Sequence, residues 1–351
     1  MNTASLPVLD LDNIKHYYGK VLQKSSDLKT SACCTAESLP RHHQKIMQLI
    51  HPEVQERFYG CGSPIPPAIT GKTVLDLGCG SGRDVYLLSA LVGEHGNVIG
   101  VDMTDEQLEV AKKYQAFHQE AFGYKQSNVQ FHQGYIEDLA SLGIADNSVD
   151  LVVSNCVINL SPNKAKVFAE IFRVLKPGGE LFFSDVFSDR RIPSALATDP
   201  VLHGECLGGA LYTEDFRRLL SHLNCKDYRV VKQNRIDIHN PELAAKLGPI
   251  HFDSITLRAF KLELEDRCED YGQTAKYLGN ISEHPHFFEL DDHHLFETEK
   301  WMSVCGNTAS MLQQTRFASH FEVNGNTQHH FGLFNCNTDE NKKETTDIAC
   351  C

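Results

Sequence analysis

Residues 74–84 read Val74-Leu75-Asp76-Leu77-Gly78-Cys79-Gly80-Ser81-Gly82-Arg83-Asp84. An apolar run stops at three alternating glycines, and a helical pattern starts directly after them. Glycines at such a turn let the backbone adopt conformations closed to other residues and approach a ligand closely. Outward from this loop the chain alternates strands and helices. Strands are expected over residues 73–77, 98–101, 129–132, 149–154 and 180–184, and two later ones over 228–238 and 253–262. Helices are expected over 84–92, from Thr104 to about Phe122 with a Thr104/Gln107 capping box, over 164–175 and over 213–223. Interleaved strands and helices predict a mostly parallel α/β sheet with helices on both faces. Such sheets bind ligands at the carboxyl ends of their strands.

The chain has 351 residues, which suits two domains. A net charge of −13 and the lack of any Lys/Arg run argue against a nucleic-acid binder. No apolar stretch approaches the roughly 18 residues of a membrane span, and residues 1–20 carry no secretory leader, so a cytoplasmic protein is expected. Twelve cysteines in such a protein read as reduced, ligating or redox-active rather than as structural staples. The expected organisation is an N-terminal segment over 1–40, with a helix near 13–22 and Cys33 and Cys34 in a loop. A main domain spans 41–264, a small C-terminal α+β domain 265–336, with short strands in 287–296 and 317–323, and a disordered tail 337–351.

The dinucleotide pattern G-x-G-x-x-G requires a third glycine at position 83, which is Arg83. The observed D-x-G-x-G-x-G, with Asp76 at the strand end, resembles the first motif of Rossmann-like S-adenosylmethionine methyltransferases. Asp102 ends the next strand, where an acidic side chain accepts ribose hydroxyls. The resemblance covers about residues 70–262. It implies S-adenosylmethionine as cofactor, held by Tyr59, Asp76, Gly78, Gly80, Gly82, Asp102, Met103, Ile136, Glu137 and Asn155, with Ile136-Glu137 at the adenine.

Fold alone does not name the substrate. Cys156, in Ser154-Asn155-Cys156-Val157-Ile158-Asn159-Leu160, follows the fourth strand on the side of the cofactor. Cys206 lies in Gly204-Glu205-Cys206-Leu207-Gly208-Gly209-Ala210 after the fifth, and Cys61 in Arg57-Phe58-Tyr59-Gly60-Cys61-Gly62 ahead of the first. Three loops can therefore bring three thiols to one mouth. None has zinc-finger spacing, and thiolates select thiophilic metals and metalloids. These segments, with Ser26-Asp27-Leu28-Lys29-Thr30-Ser31-Ala32-Cys33, resemble the arsenite methyltransferases of animal type.

That resemblance implies trivalent arsenic as substrate, bound by Cys61, Cys156 and Cys206. Cys33 is then a fourth catalytic thiol acting in disulfide exchange, with Cys33 and Cys61 as the expected pair and Cys34 as a rival to Cys33. It further implies mono- and dimethylated products, with some trimethylated, and thioredoxin or glutathione as reductant. No metal cofactor is expected, and the chain is expected to be a monomer. Glu205 is a candidate proton acceptor. Cys79, Cys225, Cys268, Cys305 and Cys336 are read as packing residues, and His284, His286, His293 and His294 with Asp291 and Asp292 as a polar loop rather than a metal site. Cys350-Cys351 is not read as a prenylation signal; the resemblance implies extra C-terminal thiols that scavenge arsenic, and a flexible tail without a role is the alternative reading. Two other readings stay open here: a quinone- or sterol-type carbon or oxygen methyltransferase, and a metalloid-scavenging protein on a relic cofactor fold.

Overall fold

The computed structural model describes Lys15 and residues 39–58, 64–204 and 206–336. The expected helix near 13–22, the tail from 337 and the calls on Cys33, Cys34, Tyr59, Cys61, Glu205, Cys350 and Cys351 lie outside these residues. The main sheet contains β1 (Thr73–Leu77), β2 (Asn97–Asp102), β3 (Val129–Gln133), β4 (Val149–Asn155), β5 (Leu175–Ser188), β6 (Leu211–Tyr212), β7 (Tyr228–Ile236) and β8 (Phe252–Phe260). Its order is β3-β2-β1-β4-β5-β8-β7, with β6 paired to β5. β1 to β6 run parallel, whereas β8 is antiparallel to both β5 and β7. Strand order reverses between β1 and β4, and a crevice opens beyond the carboxyl ends of strands at such a reversal.

The strands are nearly continuous apolar runs because helices cover both faces. The helix Lys164–Val174 buries Val167, Phe168, Ile171 and Phe172 on one stripe. Asn163 caps its start by accepting from Lys166 N at 3.1 Å. Full burial of a side chain such as Phe168 contributes roughly 1.5–3 kcal/mol. Three expectations need correction. The helix after β2 is broken at Tyr114 into Asp105–Lys113 and Gln115–Ala121. The capping box does not form, because the Thr104 hydroxyl and N–H are both directed to the Asp102 carboxylate. The segment Lys176-Pro177-Gly178-Gly179, expected to separate helix from strand, is itself the start of β5.

Beyond β8 lie β9 (Glu269–Asp270), β10 (Gln273–Tyr277), β11 (Phe287–Glu289), β12 (Leu295–Glu297), β13 (Trp301–Val304), β14 (Phe321–Asn324) and β15 (Gly332–Leu333). They form a three-stranded sheet β13-β10-β14 and two small ladders, β11-β12 and β15-β9, with a helix over Gly306–Gln313. Their apolar cluster includes Tyr277, Phe288, Phe296, Met311 and Phe317, and it is continuous with Phe260 of β8. A buried ionic group fastens this module to the sheet. Glu180 of β5 accepts from Arg258 Nε at 2.7 Å and pairs with Arg316. Arg258 also donates to Leu290 O at 2.5 Å, and Arg316 to Pro67 O at 3.0 Å.

Candidate active site

The crevice at the sheet reversal is a cleft of about 1030 Å³, measured out to its solvent mouth. The glycine loop forms its floor. Gly78, Gly80 and Gly82 have φ of +70°, +52° and +86°, a region that L side chains rarely adopt. A Cβ on Gly78 would strike Val157 at 2.2 Å, whereas one on Gly80 would meet nothing within 4 Å. Gly78 thus serves close packing, and Gly80 leaves room for a ligand against the backbone. Gly82 does not line the cleft; it is the left-handed cap of the helix Arg83–Val92, closely packed by Phe131 and Ala111.

Three carboxylates surround this floor. Asp76 is the next-to-last residue of β1, Asp102 ends β2 and Asp84 lies in the first turn of the helix Arg83–Val92. Asp102 accepts Gly80 N and Thr104 N, each at 2.8 Å, one on each oxygen. Burial raises the Asp102 pKa, and hydrogen bonds from Thr104, Gly80 and Met103 oppose the rise. Asp76 is pushed well above the usual carboxylate range by burial, then by the charges of Asp84 and Asp102. Asp84 is bridged to Arg83 at 2.6 Å and accepts Asn155 Nδ2 at 3.3 Å. The Arg83 guanidinium lies over the Phe58 ring, 3.0 Å from its centre. An electronegative wall of this kind favours a cationic ligand.

Met103, Ile136 and Glu137 line the opposite wall, and Glu137 accepts the Ser161 hydroxyl at 2.5 Å. Asp76, Gly78, Gly80, Asp102, Met103, Ile136, Glu137 and Asn155 therefore share one cleft, as the spacing of their motifs requires. Phe58, Arg83, Asp84 and Thr104 line it too and were not anticipated. Arg83 and Asp84 directly follow the glycines, so their position was readable; Phe58 comes from a segment without periodicity. Cys79, expected only to pack, also lines the cleft, and burial followed by the charges of Asp102 and Asp76 holds it as a thiol.

The two described candidate ligands meet beside this cleft. Cys156 follows the carboxyl end of β4 and lines the cleft; Cys206 Sγ lies 3.3 Å from Cys156 O. Both are buried among Leu160, Val186, Leu202 and Leu207. Both also have left-handed backbones, with φ of +55° and +63°. Non-glycine residues in that region are strained and tend to occur where function demands them. Cys156 is disulfide-bonded, and Cys206 is buried. Below them, Asp185 accepts Asn159 N at 3.1 Å and Asn159 Nδ2 at 2.7 Å. Burial raises its pKa to about 7 against opposition from those bonds and from Lys164. His203, buried and pushed down to about 4 by burial, is neutral at pH 7.

The histidine-rich segment holds no such site. His294 Nδ1 is bonded to Asp291 at 2.7 Å, and among the described residues no group of three or more His, Cys, Asp or Glu is arranged around a common metal position. No helix among the described residues is long and apolar enough to cross a membrane.

Comparison with known proteins bears on the substrate. A methyltransferase domain family matches residues 70–233, and an arsenite methyltransferase C-terminal domain family matches residues 271–348. The chain is similar to an arsenite methyltransferase of Aquipseudomonas alcaligenes, 55% identical over 92% of this chain and 93% of that one. It is similar to the arsenite methyltransferase of Homo sapiens at 44% identity, over 89% and 83% of the two chains. Its fold matches the crystal structure of an arsenic(III) S-adenosylmethionine methyltransferase from Chlamydomonas reinhardtii with a TM-score of 0.82 and 50% identity, over 85% of this chain and all of that one.

Proposed function

The chain belongs to the arsenite methyltransferase family, and from that premise we propose that it moves methyl groups from S-adenosylmethionine to trivalent arsenic held by its own cysteine thiolates. It is an S-adenosylmethionine-dependent methyltransferase of Rossmann-like fold. The observation that carries the thiolate reading is the meeting of Cys156 and Cys206, 50 residues apart, beside a cleft walled by three carboxylates.

S-adenosylmethionine, when bound, supplies an electrophilic methyl on a sulfonium. The residues present fit it: the open side of Gly80 admits the ligand against backbone, Asp102 accepts hydroxyls, and the carboxylate wall favours its positive charge. Cys156 and Cys206, with Cys61, displace oxygen or glutathione ligands from arsenic and fix its lone pair toward the cleft. Holding two reactants in a near-attack geometry is worth roughly 7–11 kcal/mol of barrier. The apolar residues around the two thiols exclude water from the arsenic and restrict competing hydrolysis. Protons released from the thiols reach solvent, with Glu205 as a candidate acceptor.

Turnover is a thiol–disulfide cycle. Transfer of the methyl cation to the arsenic lone pair leaves arsenic formally pentavalent; Cys33 and Cys61, in forming a disulfide, give the two electrons that return it to the trivalent state, and thioredoxin or glutathione then reduces that disulfide through a mixed disulfide. The disulfide-bonded state of Cys156 supports a need for such a reductant, because that sulfur cannot ligate arsenic until it is reduced. Repeated cycles give mono- and dimethylated arsenic, then some trimethylated product. The proposed setting is the cytoplasm, with the chain acting as a monomer. Purified protein, arsenite, labelled S-adenosylmethionine and thioredoxin or glutathione are expected to yield labelled methylarsenic. Label only in an organic acceptor, or arsenic binding with no transfer, would overturn the proposal.

A further inference from the structure

A second meeting of sulfur atoms lies at the β7 edge of the sheet, four strands from the reversal between β1 and β4 where the cleft opens. Arg229 of β7 pairs with Arg258 of β8 and carries its side chain to this place. Cys305 Sγ is buried there at the start of the helix Gly306–Gln313 and accepts Thr308 N at 3.4 Å. The Thr308 hydroxyl lies 3.3 Å from the same sulfur, and Arg229 Nη2 donates to it at 3.8 Å. The Cys268 thiol shares a hydrogen bond with Cys305, and Cys336 stands nearby. Hydrogen bonding by Cys268 lowers the Cys305 pKa to about 5; Arg229 and Thr308 add to this, and burial opposes it. The same bond raises Cys268, so of the two thiols Cys305 is the one that gives up its proton more readily. An extended stretch runs beside Cys268, where Phe334 N donates to Cys268 O at 2.8 Å, while Phe331 and Leu333 are exposed.

We propose that Cys268 and Cys305 form a dithiol site for monosubstituted trivalent arsenicals, distinct from the methyl-transfer cleft. The pair supplies two sulfurs, and among the described residues no third His, Cys, Asp or Glu completes a ligand group around them. A species R–As(OH)₂ has two exchangeable oxygens and one fixed carbon, so it matches two thiols. Arsenite, with three exchangeable oxygens, matches a three-thiol site. In the step two As–S bonds form and two As–O bonds break. The two hydroxides leave as water, taking the Cys268 proton and one from solvent. Arsenic stays trivalent and no sulfur is oxidised. Thiolates select such soft centres by polarizability. The choice of arsenic among thiophilic elements rests on the proposed function; the dithiol geometry does not.

Phenylarsine oxide is the probe, titrated into the reduced full-length chain and followed by native mass spectrometry after a monothiol wash. Wild type and Cys336→Ser are expected to retain one equivalent that Cys268→Ser and Cys305→Ser each lose. Peptide mapping is expected to find that equivalent bridging Cys268 and Cys305. Unchanged stoichiometry in either Cys268→Ser or Cys305→Ser, or loss in Cys336→Ser, would overturn the assignment. Protection of both thiols of the wild-type chain from iodoacetamide by the probe gives the same reading should a variant not fold, and alkylation of both despite the probe overturns it. Cys268→Ser and Cys305→Ser are expected to methylate arsenite within about twofold of wild type, which also confirms their fold. Failure of wild type to methylate arsenite would sink the proposed function and leave the adduct count unaffected.

Discussion

Two places in this molecule gather sulfur, and they do so by opposite means. At the carboxyl edge of the sheet, Cys156 and Cys206 sit in apolar surroundings on left-handed backbone, and Cys206 donates to a carbonyl. At the β7 edge, Cys305 receives donors from a helix start, a hydroxyl and a guanidinium. The first pair lies on strained backbone among apolar side chains, surroundings that suit a soft ligand. The second favours a thiolate with no ligand present. Backbone conformation prepares one pair, and local electrostatics prepares the other.

The strongest way to break this comparison is to cut the joint between the two regions. Glu180→Gln leaves Arg258 and Arg316 buried without their carboxylate, at a cost of about 3–5 kcal/mol. At roughly 2–4 °C per kcal/mol for a chain of this size, calorimetry is expected to show Tm lowered by about 10 °C. A shift below about 2 °C would mean that the triad does not couple module to sheet. Next comes the carboxyl edge itself. Cys156→Ser and Cys206→Ser are each expected to lower arsenite methylation by at least about 100-fold, since misplacement of a reacting group carries penalties of that order. Their affinity for S-adenosylmethionine is expected to stay within a few-fold. Full activity in either would refute the ligand assignment.

Smaller effects sharpen the picture. Asp102→Asn weakens hydrogen bonds to a charged group, worth about 1.5–3 kcal/mol. Titration calorimetry should then give a Kd for S-adenosylmethionine raised roughly 10- to 100-fold, with an unchanged Kd speaking against a ribose role. The smallest effect is a pH dependence on the cleft side. His118 stacks on Tyr86 with ring centres 3.5 Å apart, and burial pushes it down to about 4. The unfolded chain therefore binds a proton that the folded chain refuses, so stability falls as pH drops from about 6.5 toward 4. His118→Gln should reduce that acid-induced fall in Tm by roughly 2–4 °C. An unaltered profile would assign the acid sensitivity to His43 or His203, which are pushed down in the same direction.

The parallel half of the fold was legible because β1 and β2 are largely apolar runs closed by a glycine or an acid, and helical patterns separate the strands. Asp76, Asp102 and the glycines could be assigned to a cofactor cleft for the same reason: their roles are local to one turn. The module after β8 was mostly illegible. Its strands span two to five residues, too few for a period to register, and the helix Gly306–Gln313 has buried residues on most of its circumference. The Cys268–Cys305 contact joins residues 37 positions apart across a loop-rich fold, and each cysteine alone reads as packing. Cys156 and Cys206 were recognisable only through a resemblance, because nothing in their spacing announces that they meet.

The left-handed backbone at Cys156 and Cys206 carries an evolutionary corollary. Glycine or asparagine would sit in either conformation with less steric conflict, so drift filtered for folding alone would steadily erase both sulfurs. A lineage released from its toxic substrate should lose these two positions early, while the surrounding scaffold remains intact.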